Sequence, residues 1–176
     1  MSRLEEKFAN LKENGKKGLI IYITAGLPDA ETTVKAVLEA EKAGADIIEL
    51  GIPFSDPMAD GPVIQAAAYT AIKNGMTVKG VLEIVREIRK TSQIPLVGMG
   101  YVNNMLHYGF EKFTADAAEA GLDGLIVPDV PHEESAEMKA ACKANGMHLV
   151  EFVTPGTTDS RISETCTTAD VFIYCV

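Results

Sequence analysis

At 176 residues the chain suits one domain, residues 1–176, and its 47% hydrophobic and 23% charged content is that of an ordinary globular protein able to bury a proper core. A formal net charge of −9 argues against nucleic acid or an anionic membrane surface as a partner, but it leaves room for a small anionic ligand in a local pocket. No apolar run approaches the length of a membrane span, and the N-terminus reads as a charged helix rather than a signal peptide, so a cytoplasmic protein is expected.

Ser2 to Glu5 forms a capping box, and Leu4, Phe8 and Leu11 make the stripe of a short amphipathic helix suited to plugging one end of a fold. Gly15 and Gly18 break it before a first strand, Leu19 to Thr24. Asp29 caps a helix whose apolar face is Val34, Val37 and Leu38 and which ends at Gly44. A second strand, Ile47 to Leu50, leads through a proline-rich loop to Gly61-Pro62, which opens a helix running to Asn74. Thr77 caps a further helix with Val81, Leu82, Val85 and Ile88 inward, so this connection holds two helices where one would suffice.

Ile94 to Met99 is the third strand, followed by a loop over Gly100 to Asn104 and a helix from Phe110 to Ala120. Leu125 to Val127 is the fourth strand, followed by Pro128 to His132 and a helix from about Glu133 to Asn145. His148 to Val153 is the fifth strand, a short helix starts at Asp159 or Ser160, and Val171 to Val176 is the sixth strand. Cys142, Cys166 and Cys175 show no C-x-x-C spacing and suit reduced thiols packed as small apolar groups. His107, His132 and His148 lack metal-ligand spacing; His132 reads as a loop residue and His148 as a strand start.

Strands separated by helices require right-handed crossovers and a parallel sheet, either open and doubly wound or closed as a (β/α)₈ barrel. No G-x-G-x-x-G follows the first strand, which disfavours a dinucleotide-binding sheet. Tyr22, Glu49, Tyr101, Asp129 and Tyr174 each fall at or just after a strand. In a barrel those ends converge on one face, whereas in an open sheet they would spread along an edge, so the barrel is the expected fold.

The stretch around which these elements are organised is D-I-I-E-L-G-I-P-F-S-D-P-M-A-D-G-P-V-I-Q, Asp46 to Gln65. Glu49 interrupts a buried strand, where a carboxylate must be paired, protonated or turned toward a cavity. Asp60 sits on the loop above it. Two carboxylates in different environments are what a division of acid and base roles needs. The plainer reading is that Glu49 is solvated or salt-bridged and that the aspartate only caps a helix. Spacing alone does not choose between them.

The full wording from Glu49 to Gln65 closely resembles the signature of the tryptophan synthase alpha subunit family, as do V-P-D-V-P-H-E-E-S at Val127 to Ser135 and Y-V-N at Tyr101 to Asn103. The resemblance runs over essentially the whole chain. It implies a (β/α)₈ TIM barrel with extra helices, of which this chain holds about the first six units. It implies cleavage of indole-3-glycerol phosphate to indole and glyceraldehyde 3-phosphate, with no cofactor and no metal. By the same resemblance Glu49, Asp60 and Tyr174 are the catalytic positions. Tyr22, where members often carry phenylalanine, with Ile64 and Tyr101, forms the substrate pocket. Pro53, Asp56 and Asn103 fall where the family meets its beta subunit in an alpha2beta2 complex. The family continues beyond this sixth strand, so its phosphate loops and last two units are expected past Val176. The alternative reading of the chain as written is a catalytically inactive barrel fragment that keeps only folding or partner-binding surface.

Overall fold

A computed structural model of the chain describes residues 1–176. Helix α1, Arg3–Glu13, starts with the expected capping box: the Ser2 hydroxyl accepts the Glu5 N–H and the Glu5 carboxylate accepts the Ser2 N–H. The expected elements follow in β1 (Ile20–Thr24), α2 (Ala30–Lys42), β2 (Ile47–Gly51), α3 (Pro62–Lys73), α4 (Val78–Arg89) and β3 (Leu96–Met99), then, after an additional helix α5 (Val102–Tyr108), in α6 (Phe110–Ala120) and β4 (Gly124–Ile126). Asp29 and Thr77 each cap their helices by accepting a backbone N–H of the first turn. The chain then makes a 3₁₀ turn at His132–Glu134, α7 (Ala136–Ala144), β5 (His148–Leu149), β6 (Glu151–Val153), α8 (Asp159–Thr168) and β7 (Ile173–Cys175).

Some expectations are revised. The loop after the third strand is a helix, α5, closed by Gly109 at φ 91°, a backbone shape that favours glycine. The helix expected from Glu133 begins later, because His132–Glu134 forms the tighter 3₁₀ turn and only Ser135 opens α7. The fifth strand is split at Val150: β5 pairs with β4, whereas β6 pairs with β7. Cys142 is buried as expected, but Cys166 and Cys175 are exposed.

The strands are parallel throughout, ordered β1-β2-β3-β4-β5, with β6-β7 continuing as a second ladder. The sheet is curved. Side chains from both extremes, Tyr22 of β1 and Tyr174 of β7, pack on the same inner cluster as Ile47, Val97, Met99, Ile126 and Val150. A flat sheet would keep its first and last strands far apart. Leu4 of α1 belongs to that cluster and Phe8 packs on Phe172, ring centroids 5.4 Å apart, so α1 plugs the N-terminal end of the barrel.

The opposite sheet face carries Ile48, Leu50, Leu96, Leu125 and Leu149 against the helices in a larger cluster of 24 buried residues, with α2 on α4, α4 on α6 and α6 on α7. Most of the apolar burial that stabilises the chain lies in this layer. Alternate strand residues face opposite layers, which is why a strand buried on both sides reads as a nearly unbroken apolar run. Near the plugged end, the buried Asp123 carboxylate joins three elements. It accepts from Arg89 at 2.8 Å, from Arg3 at 2.9 Å and from the Leu96 N–H at 2.8 Å.

Candidate active site

Strand alternation turns Ile47, Glu49 and Gly51 of β2 inward, and Glu49 lies in register between Tyr22 of β1 and Val97 of β3. Gly51 leaves room for the Tyr22 ring, since a Cβ there would overlap the Tyr22 hydroxyl. Above the strand end, the loop from Ile52 to Gly61 folds back over the barrel mouth. Gln65 of α3 braces it by donating to the Asp60 carbonyl at 2.9 Å, and Asn104 of α5 donates to the Pro53 carbonyl at 3.3 Å.

These elements enclose a cavity of about 260 Å³ at the C-terminal end of the strands. Glu49, Asp60, Tyr174, Tyr22 and Ile64 all line it. Five residues chosen from the sequence thus come together in space. Tyr101 stands apart from the cavity wall. It is 2% exposed, and its hydroxyl donates to Asp60 Oδ2 at 3.0 Å while accepting the Ala59 N–H at 3.0 Å. Its place is behind Asp60, where Phe54 stacks on it with centroids 5.3 Å apart. Asp56 and Asn103 are exposed on the outer rim, and Pro53 is half-buried there.

Met99, Ile126, Pro128 and Phe152 also line the cavity and were not picked out from the sequence. The Phe152 ring stacks on Tyr174 at 5.3 Å with the planes 27° apart, making an aromatic wall from paired residues of β6 and β7. Strand alternation counted from Glu49 and Tyr174 would have found Met99 and Phe152.

The electrostatics separate the two carboxyl groups. Glu49 is 6% exposed, accepts no hydrogen bond from the protein, and is pushed up to about 7, first by burial and then by the negative charge of Asp60. Asp60 is also raised by burial, but the hydrogen bond from Tyr101 opposes that rise. Tyr174 is raised by the neighbouring Glu49 carboxylate, then by burial and by Asp60, so its phenol stays protonated. One acid is therefore poised to exchange a proton near neutrality, while the other is held by a donor that favours its anion. No group of three or more His, Cys, Asp or Glu side chains is arranged to hold a metal ion.

Parallel strands, helices on the outer face and a cavity at the C-terminal strand ends define a (β/α) barrel, with two carboxyl groups facing that cavity. The family model described as tryptophan synthase alpha chain matches residues 8–176, and the chain belongs to that family. It is 50% identical over 176 residues to the tryptophan synthase alpha chain of Citrifermentans bemidjiense and 47% identical to that of Clostridium kluyveri strain ATCC 8527. Both matches cover all of this chain, which spans 66% of the length of each of these curated relatives. Among solved structures, it superposes on tryptophan synthase subunit alpha from Legionella pneumophila str. Paris with a TM-score of 0.96 at 41% identity, covering 100% of this chain and 68% of the other. The aminoacrylate-bound form of tryptophan synthase from M. tuberculosis gives a TM-score of 0.93 at 34% identity, covering 99% and 71%.

Proposed function

We propose that this chain carries the acid–base half-site of an indole-3-glycerol phosphate lyase, the alpha reaction of tryptophan synthase. The observation that carries the proposal is the pairing of a buried, near-neutral Glu49 with Asp60 across one cavity. Protonated Glu49 gives its proton to indole C3, which places positive charge on the ring. Asp60, held by Tyr101, stabilises that charge at the ring N–H. The Glu49 carboxylate then removes the proton of the side-chain hydroxyl as the carbon–carbon bond to C3 breaks. The bonding pair returns to the ring, indole regains its aromaticity and the aldehyde of glyceraldehyde 3-phosphate forms. Glu49 ends protonated as it began, so the cycle needs no outside acid or base. The Phe152–Tyr174 wall and Ile64 supply a flat apolar surface for the indole.

The beta chain is the proposed partner. Met58 and Val63, each 81% exposed, flank in sequence the cavity-lining residues Ala59 to Gly61 and offer apolar surface to it. The test is indole release from indole-3-glycerol phosphate by a polypeptide carrying these residues, compared with its Glu49→Gln variant. Loss of release in the variant, with an unchanged circular dichroism spectrum, is expected. Turnover by the variant close to that of the parent would overturn the assignment.

A further inference from the structure

Behind the aromatic wall lies a second, larger cavity of about 350 Å³, bounded by the β4–α7 loop, β6 and α8. Pro128 and Phe152 line both cavities, so they are the partition between them. The feature that stands out is Glu151. It is 5% exposed and immediately precedes Phe152 in β6, so alternation sends its carboxylate away from the reaction cavity while the ring enters it. Elsewhere the outward face of the sheet is apolar, as at Leu125, Val127 and Leu149.

Glu151 is fully engaged. Lys139 of α7 donates to its Oε1 at 2.9 Å, and His132 Nδ1 lies 3.0 Å from its Oε2. Lys139 also donates to the Thr168 carbonyl at the end of α8, and His132 Nε2 faces Glu164 of α8 at 3.8 Å. Burial by itself would raise the Glu151 carboxyl, but the hydrogen bonds from His132 and Lys139 outweigh it and hold the group below the usual range. One buried carboxylate thus joins β6, the β4–α7 loop, α7 and α8. A buried ion cluster is seldom more stabilising than apolar side chains of the same volume, so it is better suited to fixing a geometry than to adding stability.

We propose that Lys139, Glu151 and His132 are positioning residues for the reaction cavity: they fix the Pro128–Phe152 partition, and through it the Tyr174 ring against which the indole lies. The proposal rests on the lyase reading for its kinetic consequence but not for its structural one. None of the three touches the reacting atoms. Freeing the partition should therefore loosen substrate binding while leaving proton transfer by Glu49 intact.

The experiment uses the chain labelled with 3-fluorotyrosine. The Tyr174 resonance is assigned by its loss in Tyr174→Phe, and the exposed Tyr69 serves as internal reference. Glu151→Gln removes the central charge. His132→Gln is the milder second variant, because it leaves the Glu151–Lys139 pair intact and the buried carboxylate neutralised. In both, the Tyr174 resonance is expected to move while that of Tyr69 stays. KM for indole-3-glycerol phosphate should rise about fivefold or more with kcat changed less than about twofold, the pattern of lost positioning rather than lost chemistry. If both variants merely melt at lower temperature, with the Tyr174 resonance and KM those of the parent, the cluster is only structural and the proposal fails. If the parent itself releases no indole, the lyase reading falls, and the Tyr174 resonance alone decides the positioning role.

Discussion

Replacing Glu49 with glutamine should stop proton transfer and at the same time stabilise the fold, by an amount that depends on pH. The Glu49 carboxyl ionises at about 7 in the folded chain, against an ordinary value of 4.5. Between those two values the folded state holds a proton that the unfolded state has released, so stability falls as pH rises through that window. At about 1.4 kcal/mol for each tenfold difference in proton affinity, the loss accumulates to about 3 kcal/mol by pH 8. That is a large fraction of the roughly 5–15 kcal/mol by which domains are stable. Glutamine keeps the shape of the protonated acid and carries no charge at any pH, so the variant escapes the loss. Titrating groups that do not couple to Glu49 are common to both proteins and cancel in the comparison, and Tyr22 and Tyr174, which feel its charge, stay protonated throughout this range. Urea unfolding followed by circular dichroism at pH 4, 6 and 8 should give nearly equal stabilities at pH 4 and a widening advantage for glutamine above it. A difference that does not change with pH, or a variant less stable than the parent at pH 8, would show that Glu49 is not the desolvated acid described here.

Asp60→Asn should bring the Glu49 pKa down, read from the alkaline limb of the activity profile, yet leave it above 4.5 because burial is the larger cause; turnover should be severely impaired because the ring charge loses its counterion. Tyr101→Phe removes the donor that opposes the rise of Asp60, so the acid limb should move to higher pH, with kcat/KM lower by roughly tenfold or more for one hydrogen bond to a charged group. Asp56 is exposed and its only side-chain hydrogen bond comes from Ser55, so Asp56→Ala should weaken activation by a beta chain more than it weakens cleavage by the isolated chain; equal losses would place Asp56 in the pocket instead. Asp123→Ala leaves the Arg89 guanidinium buried without its counterion and should cost about 3–5 kcal/mol in urea unfolding, with the pH profile of the site unmoved.

The sequence made the barrel legible because its signals are local and redundant. Ser2, Asp29 and Thr77 cap where they were expected to cap, and the first five apolar strand runs have a glycine or proline close by on at least one side. Helix α5 was missed because V-N-N-M-L-H-Y offers a single buried anchor, Met105, and its boundary depends on the backbone shape of Gly109 rather than on a periodic stripe. The break at Val150 could not be read at all: H-L-V-E-F-V is continuous by propensity, and only the change of partner from β4 to the neighbouring β7 ladder divides it. The carboxylates of the site announced themselves by sitting in apolar company. Phe152 and Ile126 did not, because an apolar residue in an apolar strand looks the same whether it faces helices or a cavity. Tyr101 fell at a strand end as expected, but the direction of its hydroxyl, toward Asp60 rather than the open cavity, is set by the fold of the loop above it.

The sheet separates two apolar populations, and they carry unequal burdens. The 24-residue layer under the helices holds most of the buried apolar side chains, whereas the inner cluster has six buried members and gives way at its upper end to the cavity. Mutational drift should therefore run at two speeds within a single strand. In β3, Leu96 is locked into the helix layer, while Met99, three residues on, faces the cavity and can change size with the neighbouring side chains adjusting into open space. For anyone reshaping the ligand, the inner ends of β3, β4 and β6 form a panel of replaceable tiles on a wall whose foundations lie on its other side.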